Sequence, residues 1–155
     1  MDINGIINSS KYKEISNFFD QIKTFDSKFN NLSLCIYDKL DGYFQLNASI
    51  ETTKIFLYQS LFVEKIIGFH IKTEHIIAAI GHELGHYKYD HLKQNYSIIQ
   101  EYEADQYSIS ILKRLNINTD YMINLLGLIF LYRKKFDMSI DNILLRIKNL
   151  SQLNL

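Results

Sequence analysis

The sequence predicts an α+β fold: a small, mostly antiparallel sheet of about three strands packed on a helical block. Two observations support this. Between positions 32 and 58, turn residues cut the chain into short β-branched and aromatic runs. From position 73 onward, apolar residues recur at helical spacing behind successive polar caps. Strands first and helices after give segregated layers rather than alternating βαβ units. No repeat, low-complexity tract or linker divides the chain, so residues 1–155 read as one domain with one core.

The first helix begins at Ser9 or Ser10, and Ile15, Phe18, Phe19, Ile22 and Phe25 form its apolar stripe. Asn30 and Asn31 break that pattern, and 32–37 reads as a strand. Asp41-Gly42 signals a tight turn into a second strand at 43–46. A polar loop follows Asn47 and Ala48, and a third strand covers 54–58. Residues 61–67 read as a short helix ended by Gly68. Thr73 caps a helix reaching about 91 or 92, Ser97 caps another to about 114, and Thr119 or Asp120 starts a third to about 136. Ser139 caps the last, which carries Ile143, Leu144, Ile147 and Leu150 to about 152.

Composition narrows the function. Lys plus Arg and Asp plus Glu both total 17, so no overall charge draws the chain to nucleic acid or acidic lipid. Arg133-Lys134-Lys135 reads as a solvated helix end whose charge suits the helix dipole. Cys35 is the single cysteine, which excludes an intrachain disulfide and fits a reducing compartment; inside a strand it reads as a small core residue. The N-terminal stretch lacks the apolar block of a signal peptide. The most hydrophobic window, 122–132, is too short to span a bilayer. The expectation is a cytoplasmic protein with no membrane span and no nucleic-acid partner.

The chemistry lies in His82-Glu83-Leu84-Gly85-His86, an H-E-x-x-H run on the helix that begins near Thr73. Residues four apart share a helix face about 6 Å apart along the axis, so His82 and His86 can bind one Zn2+ with Glu83 beside them. Ile76, Ile77, Ile80 and Leu84 fall on the core side. Gly81 and Gly85 weaken the helix by roughly 1 kcal/mol each, so something must come close there, a strand or a substrate. The next helix carries Glu101, Glu103 and Asp105. Glu101 and Asp105 share a face, and Glu103 points elsewhere. Glu101 can complete a His-His-Glu zinc site with one open position, and Asp105 can accept the free N–H of a ligating imidazole. A metzincin pattern would need Gly and His where Tyr89 and Leu92 stand. His91 lies about 140° round the helix from His86, so it reads as a supporting or helix-end residue rather than a ligand. His70 and His75 read as surface residues.

His82 to His91 followed by Glu101-Tyr102-Glu103-Ala104-Asp105 resembles the gluzincin metallopeptidases of the HtpX and CAAX-prenyl-protease family, and within it the soluble minigluzincins. The resemblance extends from Asn47 onward. It implies His82, His86 and Glu101 as zinc ligands, Glu83 as general base and Asp105 as the supporting acid. Asn47-Ala48 resembles a segment preceding the strand that borders the family's cleft. Leu145-Arg146-Ile147 resembles the end of a family motif whose His and Pro are replaced here by Ile140 and Asp141. Arg146 is thus the candidate oxyanion donor, with a surface ion pair as its alternative role; Tyr87 and Tyr102 are less specific donors. A peptide or unfolded-protein substrate would pair with an exposed edge of the 54–58 strand, at Ile55, Phe56 and Leu57, beside Asn47 and Ala48. The expected function is a zinc-dependent endopeptidase. The alternatives are a regulatory peptidase of the ImmA/IrrE type, acting on a repressor, or a non-catalytic module that zinc only stabilises.

Overall fold

The computed structural model describes residues 2–37, 48–51, 53–62 and 65–153. Two helices open the described chain. In α1 (Ile3–Asn8) the Asp2 side chain caps Gly5 N–H at 2.7 Å; in α2 (Ser10–Lys23) Ser9 caps Tyr12 N–H at 3.2 Å. The α2 stripe buries Ile15, Phe19 and Ile22, as its spacing predicts. The sequence reading missed α1, which is too short to show a period; Ile6 alone anchors it.

The sheet order is β1 (Ser33–Tyr37), β3 (Lys54–Tyr58), β2 (Ala48–Glu51). The α+β arrangement is as expected, but this sheet is mixed. β3 runs parallel to β1, with Leu34 opposite Ile55, and antiparallel to β2, with Ile50 opposite Ile55. A parallel pair needs a connection of a dozen or more residues, and 38–53 provides one. The expected turn at Asp41-Gly42 and strand at 43–46 lie outside the described residues. The expected polar loop after Ala48 is instead strand β2, because Ile50 supplies an apolar residue for the core face beside Ile55 and Leu57. β3 is central, with both edges paired.

The expected helix at 61–67 is not formed. A 3₁₀ turn (Gln59–Phe62) leads instead to a two-stranded hairpin, β4 (Lys65–Ile66) and β5 (Phe69–His70). Ile67 at φ 46° and Gly68 at φ 85° make its two-residue turn, so Gly68 serves a hairpin rather than a helix end. His70 is exposed, as expected.

Four helices complete the block: α3 (Thr73–Lys88), α4 (Ile98–Arg114), α5 (Asp120–Lys135) and α6 (Asp141–Ser151). Thr73 is the first residue of α3 and not its cap; its hydroxyl donates instead to Glu14 of α2 at 2.7 Å. Ile140, not Ser139, precedes α6, and Leu144 is exposed while Ile143 and Leu150 enter the core. α3, α4 and α5 end at left-handed residues, Asp90, Asn116 and Asp137, short polar side chains that tolerate this conformation. Asp90 stops α3 three residues before the expected end and turns the chain into a short 3₁₀ segment (His91–Lys93). The core gathers between the sheet and α2, α3, α4 and α5, and Ile76, Ile77, Ile80 and Leu84 are fully buried in it. Among the described residues, no helix is long and apolar enough to cross a membrane; 122–132 is part of α5, with Met122, Leu125, Leu126 and Leu128 buried.

The two glycines of α3 face another helix, not a strand or a substrate. A Cβ on Gly85 would stand 2.7 Å from Ala104 Cα, and one on Gly81 would stand 2.9 Å from Ser108 Cα. Gly127 of α5 has nothing within 4 Å of that position. Gly85→Ala therefore forces α3 and α4 apart and should cost about 1–3 kcal/mol in urea unfolding. Gly127→Ala should stabilise by up to about 1 kcal/mol. Equal effects from the two would contradict the close approach.

His75 is buried, contrary to the surface position expected for it. Its Nδ1 accepts Lys72 N–H at 3.1 Å, and its ring meets Tyr121 edge to face at 5.0 Å. Burial lowers its pKa below the ordinary 6.5; Glu74 opposes this weakly, and Lys72 and Lys11 add to it. Below pH 6.5 the unfolded chain takes a proton that the folded chain resists, so stability is complete above that pH and falls beneath it. His75→Gln should flatten this acid-side loss of melting temperature. A variant whose pH profile overlays the wild type would rule out His75 as its source.

Candidate metal centre

Three elements build the site. α3 presents His82 and His86 one turn apart, with Glu83 following His82. α4, held against α3 at the glycines, presents Glu101 and Asp105. α6 brings in Arg146.

His82 Nε2 and His86 Nε2 are 3.0 Å apart. Glu101 Oε2 lies 3.4 Å from the first, and Oε1 lies 3.5 Å from the second. Four donors on a tetrahedron with bonds of about 2.0–2.1 Å sit about 3.3 Å from one another, so the three separations fit a zinc ion. Two imidazoles and one carboxylate are also the donor types zinc takes in sites with an open position. Among the described residues, His82, His86 and Glu101 are the group able to hold a metal.

The surrounding charges favour a cation between these atoms. Burial works against a charged His82 ring, but hydrogen bonds to Asp105 and Glu101 outweigh it and hold its pKa up, at about 9. His86 is pushed down by burial and by the His82 charge next to it. Glu101 is held low despite its burial, through His82, Arg146 and His86. Burial pushes Glu83 up to about 7, against the charges of His82 and Arg146 and the N–H of Ile50, which donates to it from β2.

Asp105 stands where expected: its Oδ1 is 2.8 Å from His82 Nδ1, and the residue is fully buried. Arg146 also reaches the site, but not as a surface ion pair or a free donor. Its Nε and Nη2 grip Asp105 at 2.9 and 2.6 Å, and its Nη1 reaches Glu101 at 3.1 Å. The guanidinium is committed to the Asp105 and Glu101 carboxylates.

The strand assignment needs correcting. Asn47 lies outside the described residues. Ile55, Phe56 and Leu57 belong to the central strand, whose backbone is committed on both edges, and Ile55 and Leu57 are fully buried. β2 is the strand that lies against α3, and it includes Ala48. Its outer edge pairs with no other strand among the described residues.

Sequence reasoning missed Glu103 and Tyr96, and it gave His91 a supporting or helix-end role without its partners. His91 folds back so that its Nδ1 meets His86 Nδ1 at 3.0 Å, and its Nε2 meets Glu103 Oε2 at 3.0 Å. Glu103, set aside because it points away from Glu101 on the same helix, thus joins the site from the other side. Tyr96 lines the cleft, and its hydroxyl accepts from Asn142 at 2.9 Å, whereas Tyr87 packs on Phe29 and does not line the cleft; nor does Tyr102. Helical geometry alone cannot reveal these contacts, because each depends on how the loop from 89 to 97 runs. Cys35 is half-buried in β1 and takes no part in the cluster.

No known protein family, curated protein or solved structure matches the chain. Function must therefore be argued from the site itself.

Removing the Arg146 guanidinium would leave Asp105 and Glu101 buried with only the His82 ring to share between them. Breaking one side of such a buried cluster typically costs about 3–5 kcal/mol, so Arg146→Ala should melt well below the wild type. Arg146→Lys should recover only part of the loss, since an ammonium cannot make the two-pronged contact with Asp105 while reaching Glu101. An Arg146→Ala protein with wild-type stability would show that the cluster does not depend on it.

Proposed function

We propose that this chain is a zinc-dependent endopeptidase of gluzincin type, in which His82, His86 and Glu101 hold one Zn2+ and Glu83 is the general base. The observation that carries this reading is the meeting of three zinc-type donors at the base of an open cleft, with a further carboxylate, Glu83, on the cleft wall. A site that only tied two helices together would not need Glu83 there. The resemblance of His82–His91 and Glu101–Asp105 to the HtpX and CAAX-prenyl-protease family supports the same reaction.

When bound, the zinc would polarise a peptide carbonyl and make a nearby water more acidic. Glu83 takes the proton of the attacking water and passes it to the departing amine. Tyr96, steadied by Asn142, is the hydroxyl that can donate to the developing oxyanion, since Arg146 is already engaged. The substrate lies extended along the outer edge of β2, which suits flexible or unfolded segments. A cytoplasmic setting goes with this reading, because it keeps the single thiol of Cys35 reduced.

The proton positions around His86 follow from its role. For Nε2 to bind metal, Nδ1 carries the proton and donates to His91 Nδ1. His91 then carries its own proton on Nε2 and donates to Glu103. One charged carboxylate on each side thus orients the two ligands, Asp105 for His82 and Glu103 for His86.

Four variants test this. Glu83→Gln should keep one zinc per chain and lose cleavage of an unfolded protein by about 10²–10⁴-fold. Glu101→Ala should lose the metal. Glu103→Ala should weaken zinc binding by about 10–100-fold in a chelator competition, and Glu103→Gln by less, because its amide oxygen still accepts from His91. If zinc-loaded wild type cleaves nothing in a broad peptide library, the metal is structural and the enzyme reading fails.

A further inference from the structure

The cleft holds about 520 Å³ between α3 on one side and Arg133, Asn142 and Arg146 on the other. Its charged side chains differ in how far they are committed. Glu101 faces both ring nitrogens and Arg146, and Arg146 is gripped by Asp105 and Glu101. Arg133 is different. It forms no ion pair with a carboxylate among the described residues, and one donor, Nη1, reaches the Ser139 carbonyl at 3.3 Å. A guanidinium has five N–H donors in a planar fork, so most of its donors remain available.

The backbone that carries Arg133 is fixed in place. The last turn of α5 closes with Met138 N–H donating to the Arg133 carbonyl at 2.8 Å, around left-handed Asp137. Lys134 and Lys135 lie exposed at the same helix end and can satisfy its dipole, which leaves Arg133 to turn into the cleft. Arg133 lines the same cleft as Tyr96, whose phenol is pushed up by burial and by Glu101 and pulled down by Arg146 and Arg133. The chain is neutral overall, so the charge of Arg133 is a local feature of the cleft.

We propose that Arg133 is a carboxylate-recognising residue of the cleft, so that the preferred peptide carries an acidic group near the bond to be cut. A planar fork matches a carboxylate in two-pronged fashion and discriminates against an amide of the same shape. The acid is either an Asp or Glu side chain within the peptide or the free carboxylate at its C-terminus, and the second would narrow the endopeptidase reading to cleavage near a chain end. This inference rests on the peptidase reading, since it presumes that a peptide occupies the cleft.

The test uses full-length, zinc-loaded Glu83→Gln protein, which should bind peptide without consuming it, and reads binding by fluorescence anisotropy. Three labelled peptides share one sequence: one has an internal Glu and an amidated end, one has Gln there and an amidated end, and one has Gln and a free acid end. One acidic peptide should bind about tenfold tighter than the Gln amide, and which of the two does so identifies the source of the carboxylate. Arg133→Gln in the same background should abolish that preference and Arg133→Glu should reverse it, with zinc content and melting temperature unchanged. Raising salt to 0.5 M should shrink it. Equal binding of all three peptides overturns the assignment of Arg133 and leaves the peptidase reading standing. A preference that survives Arg133→Gln overturns the assignment as well, and failure of every peptide to bind overturns both.

Discussion

The close approach of α3 to α4 is the constraint on which everything else depends. Backbone meets backbone because Gly81 and Gly85 lack a Cβ, and Ala104 and Ser108 fill the facing positions with little bulk. Ser108 completes the seam by donating its hydroxyl to the Ala78 carbonyl at 2.6 Å. Only at this separation can Glu101, on one helix, come within 3.5 Å of the ring nitrogens of His82 and His86 on the other. A side chain as short as Glu cannot bridge a wider gap. The helix-weakening glycines are thus a local cost that the site requires, of the kind that functional positions impose on otherwise consistent sequences.

The seam places several charges where water is scarce. Asp105 is fully buried, and Arg146 and Glu101 are nearly so. Such a group is tolerated only when each member satisfies another. Here Asp105 faces His82 and Arg146, and Arg146 faces Asp105 and Glu101. The cluster also ties α6 to the rest, since Arg146 crosses from that helix to α4. Part of the stability of the C-terminal helix therefore lies in the same contacts that orient the ligands, so fold and site stand or fall together there.

The sequence revealed most about features that depend on helical geometry. Four-residue spacing on one helix was enough to pair His82 with His86 and Glu101 with Asp105, and the α4, α5 and β3 boundaries came within a residue or so of their observed positions. What depends on chain reversal was not readable. Asp90, Asn116 and Asp137 end helices in the left-handed conformation that a reader expects of Gly, and nothing in a local window marks them for that role. Residues 61–67 read as a helix, and the hairpin at 65–70 stands there instead, because Gly68 ends either equally well. Strand order was hidden for the same reason. The apolar alternation of Lys54–Tyr58 announces a strand but does not say that two others flank it.

Glu101 and Glu103 show how the reversal after α3 widens what one helix can contribute. Residues two apart on a helix point in nearly opposite directions, so on α4 alone only one of them can serve the metal site. Asp90 at φ 55° bends the chain back, and His91, buried against Tyr89 and His86, is brought between α3 and Glu103. The second carboxylate reaches the centre through an imidazole instead of directly. His82 is supported directly by a buried acid and His86, through His91, by an acid that is half exposed, so the two imidazoles differ in how firmly they are held. The firmer one lies beside Arg146 in the interior, and the looser one lies toward the 89–97 loop and the open mouth of the cleft. That asymmetry follows from the burial of the two acids, since Asp105 is closed off from solvent and Glu103 is not.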